Sequence, residues 1–190
     1  MRVVGKIGSI GVVAAAVLAL AACGSDDKAS DPTTPVPVTP KTSALTTQTE
    51  SKGRECTADD IGVAGGFGEN PTITIPDDCD PPTELIVKDL VVGTGPAAAA
   101  GQQLTMNYSL VTWSDQQKLD SSFDRGETFP LNLGAGEVIQ GWDQGLVGVT
   151  EGSRRLLIVP PNLGYGASSR GGMKPNETLV FVTDAVKVGS

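Results

Sequence analysis

Histidine is absent from all 190 residues. Without an imidazole, Ser-His-Asp and Cys-His catalysis and His-ligated metal sites are excluded before any motif is sought. Aromatic residues are few, two Trp, two Tyr and four Phe, and the first of them is Phe67. A packed core therefore belongs to the later part of the chain. Bases are outnumbered, 14 Lys and Arg against 22 Asp and Glu, for a formal charge of -8. Nucleic-acid binding draws its affinity from basic patches and is not expected. The glycine-rich runs "GVAGGFG" and "GYGASSRGG" lack the lysine of a phosphate loop and the spacing of a dinucleotide fingerprint, so they read as turns. The length suits one domain of ordinary size with something left over.

The start of the chain, "MRVVGKIGSIGVVAAAVLALAAC", has a basic opening, an apolar run and small residues before Cys23. Residues 1–22 read as an export signal, too short for a confident membrane span. The ending Leu20-Ala21-Ala22-Cys23 resembles a bacterial lipobox, which implies that Cys23 is acylated and becomes the mature N-terminus. The other reading is a plain signal peptide with an incidental cysteine. Two or more acyl chains hold a protein durably where one does not. The expectation is an exported protein, lipid-anchored to the outer face of the cell membrane. Residues 23–55 are rich in Thr, Pro, Ser and Asp and have few bulky apolar side chains. Such a segment cannot offset its ordering entropy and reads as a flexible tether reaching roughly 30 Å.

Cys56 and Cys79 flank "TADDIGVAGGFGENPTITIPDD". In a compartment that permits disulfides an intrachain bridge is expected, closing residues 56–81 as an N-terminal extension. Free or intermolecular thiols are the alternative. Ile73 and Ile75 alternate after Asn70-Pro71 and suggest a short edge strand. Asp77, Asp78 and Asp80 lack calcium-loop spacing and read as a solvated turn; no metal site is expected.

Beyond Pro82 the pattern is mostly strand. "LTMNYSLV" sets Leu104, Met106, Tyr108 and Leu110 on one face and Thr105, Asn107 and Ser109 on the other, the period of a half-buried antiparallel strand. "ELIVKDLVV", "FPLNL", "RRLLIV" and "TLVFVTDAVKV" supply four more strands. One helix is expected, from Glu137 to about Val147, with Ile139, Trp142 and Leu146 inward. Gly141 and Gly145 each weaken it by about 1 kcal/mol relative to alanine, which close approach to a sheet would offset. The fold class is α+β, an antiparallel sheet curled over one short helix.

The segments "LDSSFDRG", "FPLNLGAGEVIQGWDQGLVGVTEGSRRLLIVPPNLGYG" and "PNETLVF" resemble, in order and spacing, those of the FKBP-type peptidyl-prolyl cis-trans isomerases. The resemblance runs from about Pro82 to Val188, which makes residues 82–190 the isomerase-type domain, and the leader, tether and cysteine loop are similar to those of exported bacterial lipoprotein members. It implies a strongly twisted antiparallel sheet wrapped around a short helix, and an apolar pocket with an indole at its base. Carried over, the pocket's main residues are Asp120, Phe129, Trp142, Tyr165 and Phe181. Tyr108, Arg125, Glu137, Val138, Ile139 and Met173 would contact substrate. Pattern alone makes Trp142, Phe129 and Phe181 core, Asp120 an N-cap or turn acid and Glu137 a helix-start acid. The family instead pairs Asp120 with Arg125, gives the Tyr165 hydroxyl to a substrate carbonyl and uses the backbone of Glu137. Leu119 stands where the family usually has phenylalanine, Leu110 and Gln116 replace frequent glycines, and "SSRGGMKPNE" is a residue shorter than common.

Rotation about an X-Pro bond breaks no covalent bond, so neither nucleophile, metal nor cofactor is needed. The resemblance implies proline-containing polypeptide substrates, FK506-like macrolide ligands and a monomer. A non-catalytic proline-peptide-binding or chaperone module is the alternative.

Overall fold

The computed structural model describes residues 51–189. The signal peptide, the acylation at Cys23 and the tether as far as residue 50 lie outside these residues. An alternating apolar and polar run settles as a strand with one face inward, and the longest such run becomes β4 (Gln103–Thr112). Around it lie β3 (Ile86–Val91), β5 (Lys118–Ser121), β6 (Phe129–Asn132), β7 (Arg154–Val159) and β8 (Leu179–Val188). They form a six-stranded sheet in the order β3-β7-β8-β4-β5, every pairing antiparallel. β4 is shared along one edge: Gln103 to Met106 pair with β6, and Ser109 to Val111 pair with β5. Between those two partners the chain makes one turn of helix, α1 (Ser122–Arg125).

The second helix, α2 (Gln140–Gly145), packs on the front of this sheet. Its glycines are explained by proximity. A Cβ on Gly141 would stand 2.8 Å from Cγ2 of Val159, and one on Gly145 would stand 2.7 Å from Cδ2 of Leu157. The helix lies so close to β7 that only hydrogen fits, and the dispersion contacts of that approach replace what glycine forfeits. At its C-terminal end Arg155 of β7 donates to the carbonyls of Gly145 (2.8 Å) and Val147 (3.1 Å) and pairs with Asp89 of β3. A guanidinium thus satisfies carbonyls the helix leaves open and sits at the negative end of its dipole. The observed helix is shorter than the Glu137 to Val147 span, because Ile139 is its N-cap and Leu146 its C-cap. Ile139 and Leu146 still face inward as flanking coil.

The front core gathers Leu104, Met106, Tyr108, Leu131, Leu133, Trp142, Leu146, Leu157 and Phe181. A second core lies behind the sheet, where Val111, Leu156, Ile158, Val180 and Val182 meet Ile61 and Ile75. Those two isoleucines belong to the extension, which carries a small hairpin, β1 (Gly62–Ala64) with β2 (Thr72–Thr74). The strand expected around Ile73 is real, but it pairs with β1 and not with an edge of the main sheet. It covers the back face, which is why Ser109 and Val111 are buried where half-burial was expected of β4.

Cys56 and Cys79 are bonded, with their Cα atoms 5.1 Å apart. The Cys56 N–H donates to Asp80 O and the Asp80 N–H to Arg54 O, both at 2.8 Å. Residues 51–55, assigned to the tether by composition, are already engaged: Ser51 Oγ and the Lys52 N–H donate to the Asp80 carboxylate at 2.6 and 2.9 Å. Asp80 is therefore the hub of this crossing point. Its carboxyl is held below the ordinary range, first by Ser51 and then by the Lys52 N–H. Asp60 is held lower too, first by Arg54 and then by Thr57.

Behind the sheet the extension also meets charge. Arg154 and Asp184 are fully buried, with Nε to Oδ1 at 2.6 Å and Nη2 to Oδ2 at 2.8 Å. Arg154 further donates to Gly65 O (2.8 Å) and Glu69 O (2.6 Å), and the Gly68 N–H donates to Asp184 (2.7 Å). A buried ion pair is tolerable when its remaining valences are met, and here the turn between β1 and β2 meets them. No helix among the described residues is long and apolar enough to cross a membrane.

Candidate active site

On the front of the sheet a cavity of about 230 Å³ opens beside the N-terminus of α2. Trp142 anchors it. The indole is 3% exposed and makes edge-to-face contacts with Tyr108 (5.3 Å between ring centroids, 86°), Phe181 (5.4 Å, 77°) and Phe129 (6.0 Å, 88°). Tyr108 and Phe129 meet likewise at 5.7 Å and 80°. Perpendicular rings present positive edges to negative faces, worth about 0.5–1.5 kcal/mol per pair beyond burial. That helps to offset the Trp142 N–H, which is buried without a hydrogen-bond partner among the described residues at a cost of about 1–3 kcal/mol. These rings come from four elements, β4, β6, α2 and β8, so the fold assembles them and no local segment could.

One side of the cavity is polar. Tyr108 donates its hydroxyl proton to Asp120 Oδ2 at 2.5 Å, Arg125 Nη1 donates to Asp120 Oδ1, and Arg125 Nη2 donates to the Tyr108 oxygen at 3.0 Å. The Tyr108 phenol is pushed up from its ordinary pKa, by burial first and by Asp120 second, while Arg125 pulls it back. It therefore stays protonated at neutral pH and serves as the donor in this triangle. Asp120 lies in β5 opposite Leu110 of β4 and caps no helix; the N-cap of α1 is Ser121.

Glu137 turns away from the helix it precedes. Its carboxylate accepts from the Asn132 N–H (3.0 Å) and Asn132 Nδ2 (2.9 Å), which hold it below the ordinary glutamate range. Asp143 of α2 accepts from the Gly134 N–H (2.8 Å) and the Gly136 N–H (3.1 Å). Together the two acids tie the end of β6 to α2 and fix the backbone from Glu137 to Ile139 at the cavity rim. Opposite stands Tyr165, 37% exposed, its hydroxyl bonded to none of the described residues. The segment after it is closed by the Asn176 N–H to Gly166 O at 2.7 Å, and Glu177 accepts from the N–H and the hydroxyl of Ser114 in the turn after β4.

Tyr108, Asp120, Phe129, Glu137, Val138, Ile139, Trp142, Tyr165 and Phe181 thus come together around one cavity, and Leu110 completes the lining. Leu110 is the addition; its signal was its register on the inward face of β4, two residues after Tyr108. Arg125 stands behind Asp120 and outside the lining. Met173 packs against the front core without reaching the cavity wall, as does Leu119. Leu146 is in the core beneath. The remaining cluster of ligand-type side chains among the described residues is Cys56, Asp60 and Cys79, and its sulfurs are bonded to each other.

Residues 95–185 match the family of FKBP-type peptidyl-prolyl cis-trans isomerases. An FK506-binding protein of Streptomyces anulatus is 45% identical over 122 residues, spanning 63% of this chain and 98% of its own. One from Neisseria meningitidis serogroup B is 42% identical over 106 residues, 55% of this chain and 95% of its own. The crystal structure of AtFKBP13 superposes with a TM-score of 0.52 and 33% identity, covering 56% of this chain and 94% of that one. The superposition shows that the antiparallel sheet with its short helices is the FKBP fold. The chain belongs to this family and is a peptidyl-prolyl cis-trans isomerase of the FKBP type.

Proposed function

We propose that the protein isomerises X-Pro bonds of exported polypeptides by binding the twisted amide, in preference to the planar one, in the cavity above Trp142. The observation that carries this reading is the cavity itself: three edge-to-face aromatic contacts on one indole, a volume of about 230 Å³, and a single polar wall. Such a volume lies below the ~300–1,000 Å³ of drug-sized sites and suits a ring of a few atoms.

Amide resonance sets an uncatalysed barrier of about 18–20 kcal/mol. Twisting the bond leaves a less polar carbonyl and a more pyramidal nitrogen, so an apolar, water-poor site favours the twisted form. Only that difference in binding accelerates the step. A gain of about 10⁴ in rate asks for about 5.5 kcal/mol of it. The prolyl ring rests on Trp142 between Phe129 and Phe181. The Tyr165 hydroxyl and the N–H of Ile139, which precedes the α2 ladder, orient the flanking carbonyls. Asp120, held by Tyr108 and Arg125, shapes the electrostatics of one wall, and no proton moves.

An FK506-like macrolide would seat one small ring in the same cavity and leave the rest of its body outside, with the protein acting as a monomer. The lipobox-like ending at Cys23 supports anchoring at the outer face of the cell membrane, where exported substrates pass; mass spectrometry of the mature N-terminus would show a diacylglyceryl mass there, or an unmodified cysteine if the anchor is wrong. An isomerisation assay on a short X-Pro peptide tests the catalytic reading. Acceleration proportional to protein concentration, lost in Trp142→Ala, is expected; a folded protein that leaves the uncatalysed rate unchanged defeats it.

A further inference from the structure

The helix α1 has four residues, Ser122 to Arg125. A single turn fixes several dihedral angles for one hydrogen bond and does not hold itself together. Its N-cap, Ser121, contributes no side-chain cap bond. What places α1 is therefore its side-chain contacts, and they divide along its length. At the start, the Ser122 hydroxyl accepts from the Tyr108 N–H (2.8 Å) and donates to Asn107 Oδ1 (3.0 Å), fastening that end to β4. At the other end, Arg125 reaches Asp120 and Tyr108 in the cavity wall.

Between them, Phe123 meets Arg154 of β7, the arginine that grips the extension's turn, and Asp124 meets the extension itself. The Phe123 ring lies 5.8 Å from the guanidinium carbon of Arg154, a favourable cation-π distance. Asp124 accepts from Asn70 Nδ2 at 2.7 Å and pairs with Lys118 Nζ at 2.5 Å. Lys118 belongs to β5 and moves with it, whereas Asn70 arrives from outside the sheet. Its place is fixed by the buried pair already described: Arg154 grips the carbonyls of Gly65 and Glu69, and Asp184 takes the Gly68 N–H, so the turn ending at Asn70 is built onto β7 and β8. The disulfide closes the segment that delivers it.

We propose that Asn70 is a positioning residue for the isomerase site: by holding Asp124 it sets α1, and through α1 the seat of Arg125 against Asp120 and Tyr108. The extension is then part of the catalytic domain's working structure as well as a cover for its back face. This rests on the reading that the cavity above Trp142 binds the prolyl ring. Asn70 touches no substrate, so its effect belongs in the orientation of the polar wall and falls on kcat, while the apolar floor that sets KM is untouched.

The test uses the full chain with Asn70→Asp, which sets a carboxylate against Asp124, and the exchanged pair Asn70→Asp with Asp124→Asn, which restores one donor and one acceptor. The exchanged pair keeps the parent's net charge. Kinetics on an X-Pro peptide are read beside an absorbance titration of the Tyr108 phenol, identified by its loss in Tyr108→Phe. Asn70→Asp is expected to lower kcat about fivefold with KM unchanged and to move the Tyr108 ionisation to higher pH, since Arg125 no longer draws it down. The exchanged pair should return both to within about twofold of the parent. If Asn70→Asp does not fold, Asn70→Ala replaces it and must move kcat and the Tyr108 ionisation in the same directions. An active parent with either folded variant unchanged, or an exchanged pair that stays impaired, overturns the proposal alone. A parent without isomerase activity defeats the cavity reading and this proposal with it.

Discussion

Tyr165 is the cavity residue whose part is easiest to isolate, because its hydroxyl is bonded to none of the described residues and its ring is 37% exposed. Removing that oxygen takes nothing from the folded state. Tyr165→Phe should lower kcat/KM about three- to tenfold, the worth of one hydrogen bond of roughly 1 kcal/mol, with the thermal midpoint unchanged. Equal kinetics would remove the hydroxyl from the mechanism. Trp142 is different in kind, since the ring that floors the cavity also carries Tyr108, Phe129 and Phe181. Trp142→Ala should therefore cost about 3–5 kcal/mol in denaturant unfolding as well as its activity. At this scale most of the site was legible in the family's motifs. Leu110 and the places of Arg125 and Met173 outside the lining were not, because strand register and the depth of a side chain behind its neighbour depend on the assembled sheet.

The elements most easily read were those with a long period: β4, β7 and β8 declare themselves by alternation or by continuous apolar runs. β5 and α1 were missed. "KLDS" and "SFDR" are four residues each, too short for any period, and they exist because β4 offers an edge to one and contacts to the other. The helix α2 was read too long, since the inward residues Ile139 and Leu146 flank it as caps. Its glycines yield a test against intrinsic propensity. Alanine is the better helix former, yet Gly141→Ala would drive a methyl into Val159. The substitution should destabilise by about 1–3 kcal/mol, read from the urea midpoint. A stabilised Gly141→Ala would mean that α2 does not sit so close to β7.

At the scale of the whole molecule, two cores share one sheet, and the back core was invisible to pattern. The outward face of β4 read as the solvated side of a half-buried strand, and nothing in "RRLLIV" marks its first arginine for burial; the extension covers both. Arg154 and Asp184 tolerate that burial through each other and the Gly65 to Glu69 turn. Arg154→Met would leave Asp184 charged and without its partner, at about 3–5 kcal/mol, read by denaturant unfolding. Acid should act on the same region. The carboxyls of Asp60 and Asp80 are held below their ordinary value in the folded protein, about 3.9 in an unfolded chain. Their contribution is complete above about pH 5 and is lost as pH falls through about 4 and below. The thermal midpoint should drop over that range, and less steeply in Asp60→Asn, which starts from a lower midpoint at pH 7.

The central claim is that the prolyl ring sits on Trp142, and the chain offers its own control, since its one other tryptophan, Trp113, packs with the back core. The two indole N–H resonances, assigned by Trp113→Phe, are followed by NMR as an X-Pro peptide is added under conditions where isomerisation is catalysed. The Trp142 resonance should shift or broaden in proportion to occupancy while that of Trp113 stays in place. Catalysis with the Trp142 signal unmoved, or with Trp113 moving alone, would contradict the assignment of the site.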